Sequence, residues 1–155
     1  MLVFCHNSNS ASSRKCWAVA LRRSRLRTRI EALANFRCEY CGAPQNACGY
    51  HFHLEHIIPI ALGGTDAESN RALACASCNL AKSNRVSVRD PLTSEETALF
   101  HPRQQLWQEH FQWSEDQKTL IGLTPTGRAT IACLDMNNAL QQLARSYWFA
   151  AGLLP

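Results

Sequence analysis

The sequence predicts an α+β protein: a small strand–loop–strand–helix core clasped by paired cysteines, preceded by a basic helix and followed by a mainly helical extension. Three observations carry this. Two C-x-x-C pairs, Cys38/Cys41 and Cys75/Cys78, bracket an aromatic and β-branched run that stops at Pro59. A Gly63-Gly64 turn separates that run from the short return strand Arg71-Ala72-Leu73-Ala74. Helix-compatible composition then follows from Ala76 to about Arg85.

Taken in order, residues 1–24 are polar and basic and read as a leader with little fixed structure. Of the eight Lys and Arg in residues 1–37, only Glu31 offsets any, a net of +7 against −3 for the remainder of a chain whose total is +4. A basic arm before a near-neutral body suits an anionic polymer, because each neutralised phosphate releases condensed counterions. The leader has no secretory pattern, since Trp17–Leu21 is too short an apolar stretch; an organelle transit peptide shares its Arg- and Ser-rich composition, while the expectation adopted is cytoplasmic. No apolar run approaches the roughly 20 residues needed to cross a bilayer.

Leu26, Ile30 and Leu33 recur at i, i+4, i+7 and predict an amphipathic helix with these three inward. Residues 25–90 are expected to hold the chemistry. Two residues between thiolates let a tight turn aim both sulfurs at one point, and two such turns complete the tetrahedron that Zn²⁺ accepts, closed and therefore structural. Cys5, Cys16, Cys48 and Cys133 have no paired spacing and are expected to be free thiols. The strand holding His51, His53, Glu55 and His56 is expected to lie against the first turns of the helix carrying Asn79 and Lys82. Glu55 and Asn79 are oxygen donors suited to a hard cation such as Mg²⁺ or Mn²⁺, His56 is tuned to deprotonate a water, and Lys82 and Arg85 are candidates for holding phosphate. Strand alternation raises a geometric objection: adjacent residues face opposite sides, so Glu55 and His56 can flank one phosphate only near a strand end.

The run Cys38-x-x-Cys41-Gly42, Glu55-His56-Ile57-Ile58-Pro59, Gly63-Gly64, Asn70, Cys75-x-x-Cys78-Asn79, Lys82 resembles the zinc-stabilised HNH endonucleases over residues 37–85. The resemblance implies a ββα-metal fold that cleaves DNA, double-stranded by expectation, with His56 as general base, Glu55 and Asn79 on a catalytic divalent cation, and Asn70 positioning the loop and the imidazole. Glu55 departs from the family's frequent Asp and Asn79 from its frequent His. The alternative is a zinc-knuckle module that grips nucleic acid without cutting it.

In the extension, residues 91–155, a helix is expected over 103–113 with Leu106, Trp107, His110 and Phe111 on one core-facing side. A short strand, a turn at Pro125-Thr126-Gly127 and a helix or second strand follow. A last helix over 137–151 is expected to turn Leu140, Leu143, Ala144 and Tyr147 inward.

Overall fold

The fold is described from a computed structural model over residues 25–154. The leader thus lies outside the described residues, along with Cys5 and Cys16. Helix α1 occupies residues 25–33 and buries Ile30, with Ala34 buried just past its end, but Leu33 is 60% exposed. The inward stripe is completed by Glu31, whose carboxylate accepts from Arg27 at 3.2 Å and from Gln45 at 3.4 Å. A polar partner has displaced the apolar one that the spacing predicted.

After the first cysteine knuckle comes one helical turn, α2 (Gln45–Cys48). Strand β1 (His53–His56) then pairs antiparallel with β2 (Arg71–Ala74), placing His53 opposite Ala74 and His56 opposite Arg71. Asn70 braces the connecting loop from its end. Asn70 Oδ1 accepts from Ile58 N at 2.9 Å, and its Nδ2 donates to Ile58 O at 2.8 Å and Thr65 O at 2.9 Å. The two loop glycines serve different needs. Gly63 sits at φ 84°, a left-handed conformation that costs glycine nothing, whereas Gly64 is there for space: a Cβ on it would lie 1.8 Å from Ile58 O.

Helix α3 (Ala76–Lys82) starts at Cys75, whose sulfur accepts from Cys78 N, and ends at Ser83 with φ 51°, three residues short of the expected Arg85. β1, β2 and α3 make the predicted ββα core. Phe52, Ile57, Ala72 and Leu73 are buried together with Tyr40 of the first knuckle.

The extension combines helices with short hairpins. Hairpins β3–β4 (Ser87–Arg89, Glu96–Ala98) and β5–β6 (Phe111–Trp113, Leu120–Gly122) stand beside α4 (Trp107–His110), α5 (Pro125–Cys133) and α6 (Ala139–Ala150). The expected helix over 103–113 is one turn followed by a strand. Phe111 is buried, Gln112 exposed and Trp113 half-buried, so the period falls to 2 where Phe111 pairs with Gly122 and Trp113 with Leu120. The rings of Trp107, Phe111 and Trp113 cluster with centroids 5.2–5.8 Å apart; Trp107 and Phe111 face the core as expected, Trp113 joins them, and Leu106 turns out to solvent. Pro125 opens α5 as its first residue, with the Thr124 hydroxyl accepting from Gly127 N.

Helix α6 forms where predicted but is turned the other way. Leu140, Leu143 and Tyr147 are 79, 52 and 67% exposed, and Arg145 is fully buried. Its guanidinium donates to the carbonyls of Lys118 and Met136 and to Asn137 Oδ1, and it stands 5.4 Å from the centre of the Trp113 ring. Both terminal nitrogens are thus satisfied, while the buried Nε has no hydrogen-bond partner.

The extension is tied to the core through the first knuckle. Glu39 accepts from Leu73 N at 2.7 Å and pairs with Arg103, and Trp107 Nε1 donates to Tyr40 O at 2.9 Å. Within the extension, Arg128 grips the buried Asp90 carboxylate with Nε at 2.9 Å and a terminal nitrogen at 2.6 Å. This pairing holds the Asp90 carboxyl down at about 2. The folded value lies below the ordinary one of 3.8, so its contribution to stability is fully present above that value and is lost only as pH falls through about 2. Asp90→Ala is therefore expected to lower Tm by a few degrees, and by the same amount at pH 5.5 and pH 8. Thermal melts at the two pH values check it, and a deficit confined to one of them would assign the effect elsewhere.

Candidate nuclease site and zinc cluster

The sulfurs of Cys38, Cys41, Cys75 and Cys78 all lie within 4.8 Å of one another, and all four residues are buried. Cys41 and Cys75 are 3.8 Å apart. A tetrahedron with Zn–S near ~2.3 Å has sulfur–sulfur edges of about 3.8 Å, so the cluster fits a structural Zn²⁺. Gly42, at φ 74° with its N–H donating to Cys38 O at 2.9 Å, closes the first knuckle. Crowding splits the thiols: bonding with Cys38 first, then with the other two, draws the Cys75 thiol down, while bonding with Cys38 pushes Cys41 and Cys78 up. Four sulfurs in contact cannot all ionise without a cation among them. Cys48 and Cys133 are free.

The cluster holds the foot of β2 against the start of α3, and a groove of about 440 Å³ opens between β1 and α3. Glu55, His56 and Asn79 all line it, with Leu54, Pro59 and Ser83. Glu55 and His56 are the last two residues of β1, so both stand at the strand end. His56 faces outward with its side chain 26% exposed, and Glu55 turns inward. Glu55 Oε1 pairs with Lys82 Nζ at 2.6 Å, while Oε2 is buried with no hydrogen-bond partner. Burial pushes the Glu55 carboxyl up to about 7 in spite of the lysine. An orphaned carboxylate oxygen at a groove shared with the Asn79 amide is a donor set of the kind a hard divalent cation takes.

Three expected roles are corrected by these positions. Lys82 does not face phosphate: its side chain is 1% exposed and is spent on Glu55 and, at 3.2 Å, on His56 O. Arg85 is exposed, but it donates to Ala81 O at 3.0 Å and to Cys133 Sγ, and is not among the groove-lining residues. Asn70 positions the loop as expected, yet all its described bonds go to backbone and none reaches the imidazole. The basic segment is also partly committed to structure. Arg27 donates to Phe52 O, Arg29 pairs with Glu68 at 2.5 Å, and Arg37 donates to Gly42 O and Leu153 O. His51, exposed, contacts Glu31 at 3.2 Å, and His110 Nδ1 contacts the Thr124 hydroxyl at 2.6 Å.

Two groups at the imidazole were not anticipated from sequence. His56 Nε2 lies 2.7 Å from Asp66 Oδ1, and Arg71 bridges the pair, with one nitrogen 2.6 Å from Asp66 Oδ1 and the other 3.4 Å from His56 Nδ1. The antiparallel register carried a signal for Arg71, which is the cross-strand partner of His56. Asp66 lies two residues past the double glycine, and nothing in the local sequence marks it as a partner of His56.

A ββα unit beside a four-cysteine cluster that fits zinc, with a histidine at the strand end and an asparagine on the helix, is the arrangement of a ββα-metal core. The HNH endonuclease family model matches residues 38–85, from the first knuckle cysteine to just past α3. No curated protein and no solved structure matches the chain. Among the described residues, no helix is long and apolar enough to cross a membrane.

Proposed function

We propose that this protein hydrolyses phosphodiester bonds in DNA, with duplex DNA as its substrate. The observation that carries this reading is the convergence of His56, Glu55 and Asn79 on one groove beside a closed cysteine cluster. His56 removes a proton from water, whose oxygen attacks phosphorus as the bond to the leaving oxygen breaks. Glu55 Oε2 and the Asn79 amide are the residues that would hold Mg²⁺ or Mn²⁺; when bound, it supplies positive charge against the phosphate. Lys82 offsets part of the Glu55 charge from inside, and Asn70 keeps the loop beyond Pro59 in place.

Nicking of supercoiled plasmid in Mg²⁺, Mn²⁺ or chelator tests the proposal. His56→Ala is expected to lower the nicking rate by ~10²-fold or more, with zinc content and DNA retention unchanged. DNA retention without cleavage by the native chain in either metal would leave a binding module instead. Equal loss of cleavage, zinc and retention in the variant would make His56 structural.

A further inference from the structure

We propose that Asp66 is a positioning residue for His56, holding its imidazole in the Nε2–H tautomer so that Nδ1 presents the lone pair that takes the proton from water. This rests on the nuclease reading above.

The hydrogen-bonding inventory of the neighbours leads to it. An ionised carboxylate only accepts, so at 2.7 Å from Asp66 Oδ1 the Nε2 atom must carry hydrogen. A guanidinium only donates, so Nδ1, 3.4 Å from Arg71, must present its lone pair. Both neighbours select one tautomer, and the other would set donor against donor and acceptor against acceptor. The Arg71 contact is long enough to leave Nδ1 weakly engaged and open to a water.

Asp66 could be dismissed as a surface ion pair, since its side chain is 80% exposed. Its position is fixed from below, however. Arg71 is 16% exposed, donates to Leu54 O at 3.1 Å and holds Asp66 Oδ1 at 2.6 Å. A chain of bonds therefore runs from the β1 backbone through Arg71 and Asp66 to the imidazole. The bond with His56 and the charge of Arg71 hold the Asp66 carboxyl below the usual range, so it accepts throughout the working pH range. When Nδ1 takes the proton, Asp66 keeps the Nε2 hydrogen bonded and stabilises the imidazolium without itself being protonated.

Long-range ¹H–¹⁵N spectra of the zinc-loaded full chain read the tautomer, with His56 assigned by its disappearance in His56→Ala. The expected result is Nε2–H with Nδ1 bare in the native protein and mixed tautomers in Asp66→Ala. The variant should also lose ~10–100-fold in kcat with little change in KM, and Asp66→Glu should recover part of it. Zinc content shows that the variants are folded. A native Nδ1–H tautomer, or an Asp66→Ala ring signature and kcat equal to native, overturns the assignment. A native chain that fails to nick while its tautomer still depends on Asp66 removes the nuclease reading and leaves the Asp66–His56 link standing.

Discussion

Cys78→Ser is expected to unfold the ββα core, not merely to slow the protein. Cys78 is 1% exposed at the head of α3, and its sulfur belongs to the cluster that joins the first knuckle to the β2–α3 junction. Ser offers a harder, more basic ligand atom on a shorter bond, so the tetrahedron loses a corner and a buried hydroxyl is left beside three thiols. Structural zinc contributes an apparent ~10–16 kcal/mol in small domains, comparable to or larger than the ~5–15 kcal/mol by which whole domains are stable. Loss of a ligand is thus expected to abolish both metal and fold. Far-ultraviolet circular dichroism and zinc content by mass spectrometry measure the two together, and a strong chelator should reproduce the effect in the native chain. A Cys78→Ser protein that stays folded with one zinc per chain would remove the cluster from its structural role.

The same cluster explains how much of the core was legible in sequence. C-x-x-C spacing is short-range geometry, and once two knuckles are tied to one point the order strand, loop, strand, helix leaves little freedom for the segment between them. Glu55, His56 and Asn79 come to one groove for that reason. What could not be read were polar groups whose partners are distant in sequence. Lys82 reads as a surface residue on any composition scale, and only the fold shows its ammonium spent on Glu55, 27 positions earlier. Arg145 is the same case: its partners Lys118 and Met136 turn α6 so that Leu140, Leu143 and Tyr147 face outward, against the apolar pattern of the helix itself. At Phe111 the failure was one of period. An aromatic stripe at helical spacing changed to alternation because β6 lay across from it, and local sequence carries no mark of a partner strand.

The buried pair behind the groove gives the second large expected effect. Lys82→Met removes the ammonium 2.6 Å from Glu55 and leaves a carboxylate whose side chain is 4% exposed. Breaking a buried pair from one side costs about 3–5 kcal/mol, whereas removing both charges is often close to neutral. Glu55→Gln with Lys82→Met should therefore recover most of the stability that Lys82→Met alone loses.

The pH dependence separates this from a packing defect. The Glu55 carboxyl is raised in the fold from its ordinary 4.5 to about 7, so the folded chain holds a proton that the unfolded chain releases. Its contribution is full below the ordinary value and is lost as pH climbs through about 7. Without Lys82 the folded value rises further and the decline continues upward, so the deficit of Lys82→Met should widen from pH 6 to pH 8.5. Urea unfolding in divalent-free buffer at the two pH values, followed by tryptophan fluorescence, reads that difference. A deficit equal at both, and undiminished in the double variant, would mean that Lys82 matters for its methylenes alone and that Glu55 does not bear an uncompensated charge behind the groove.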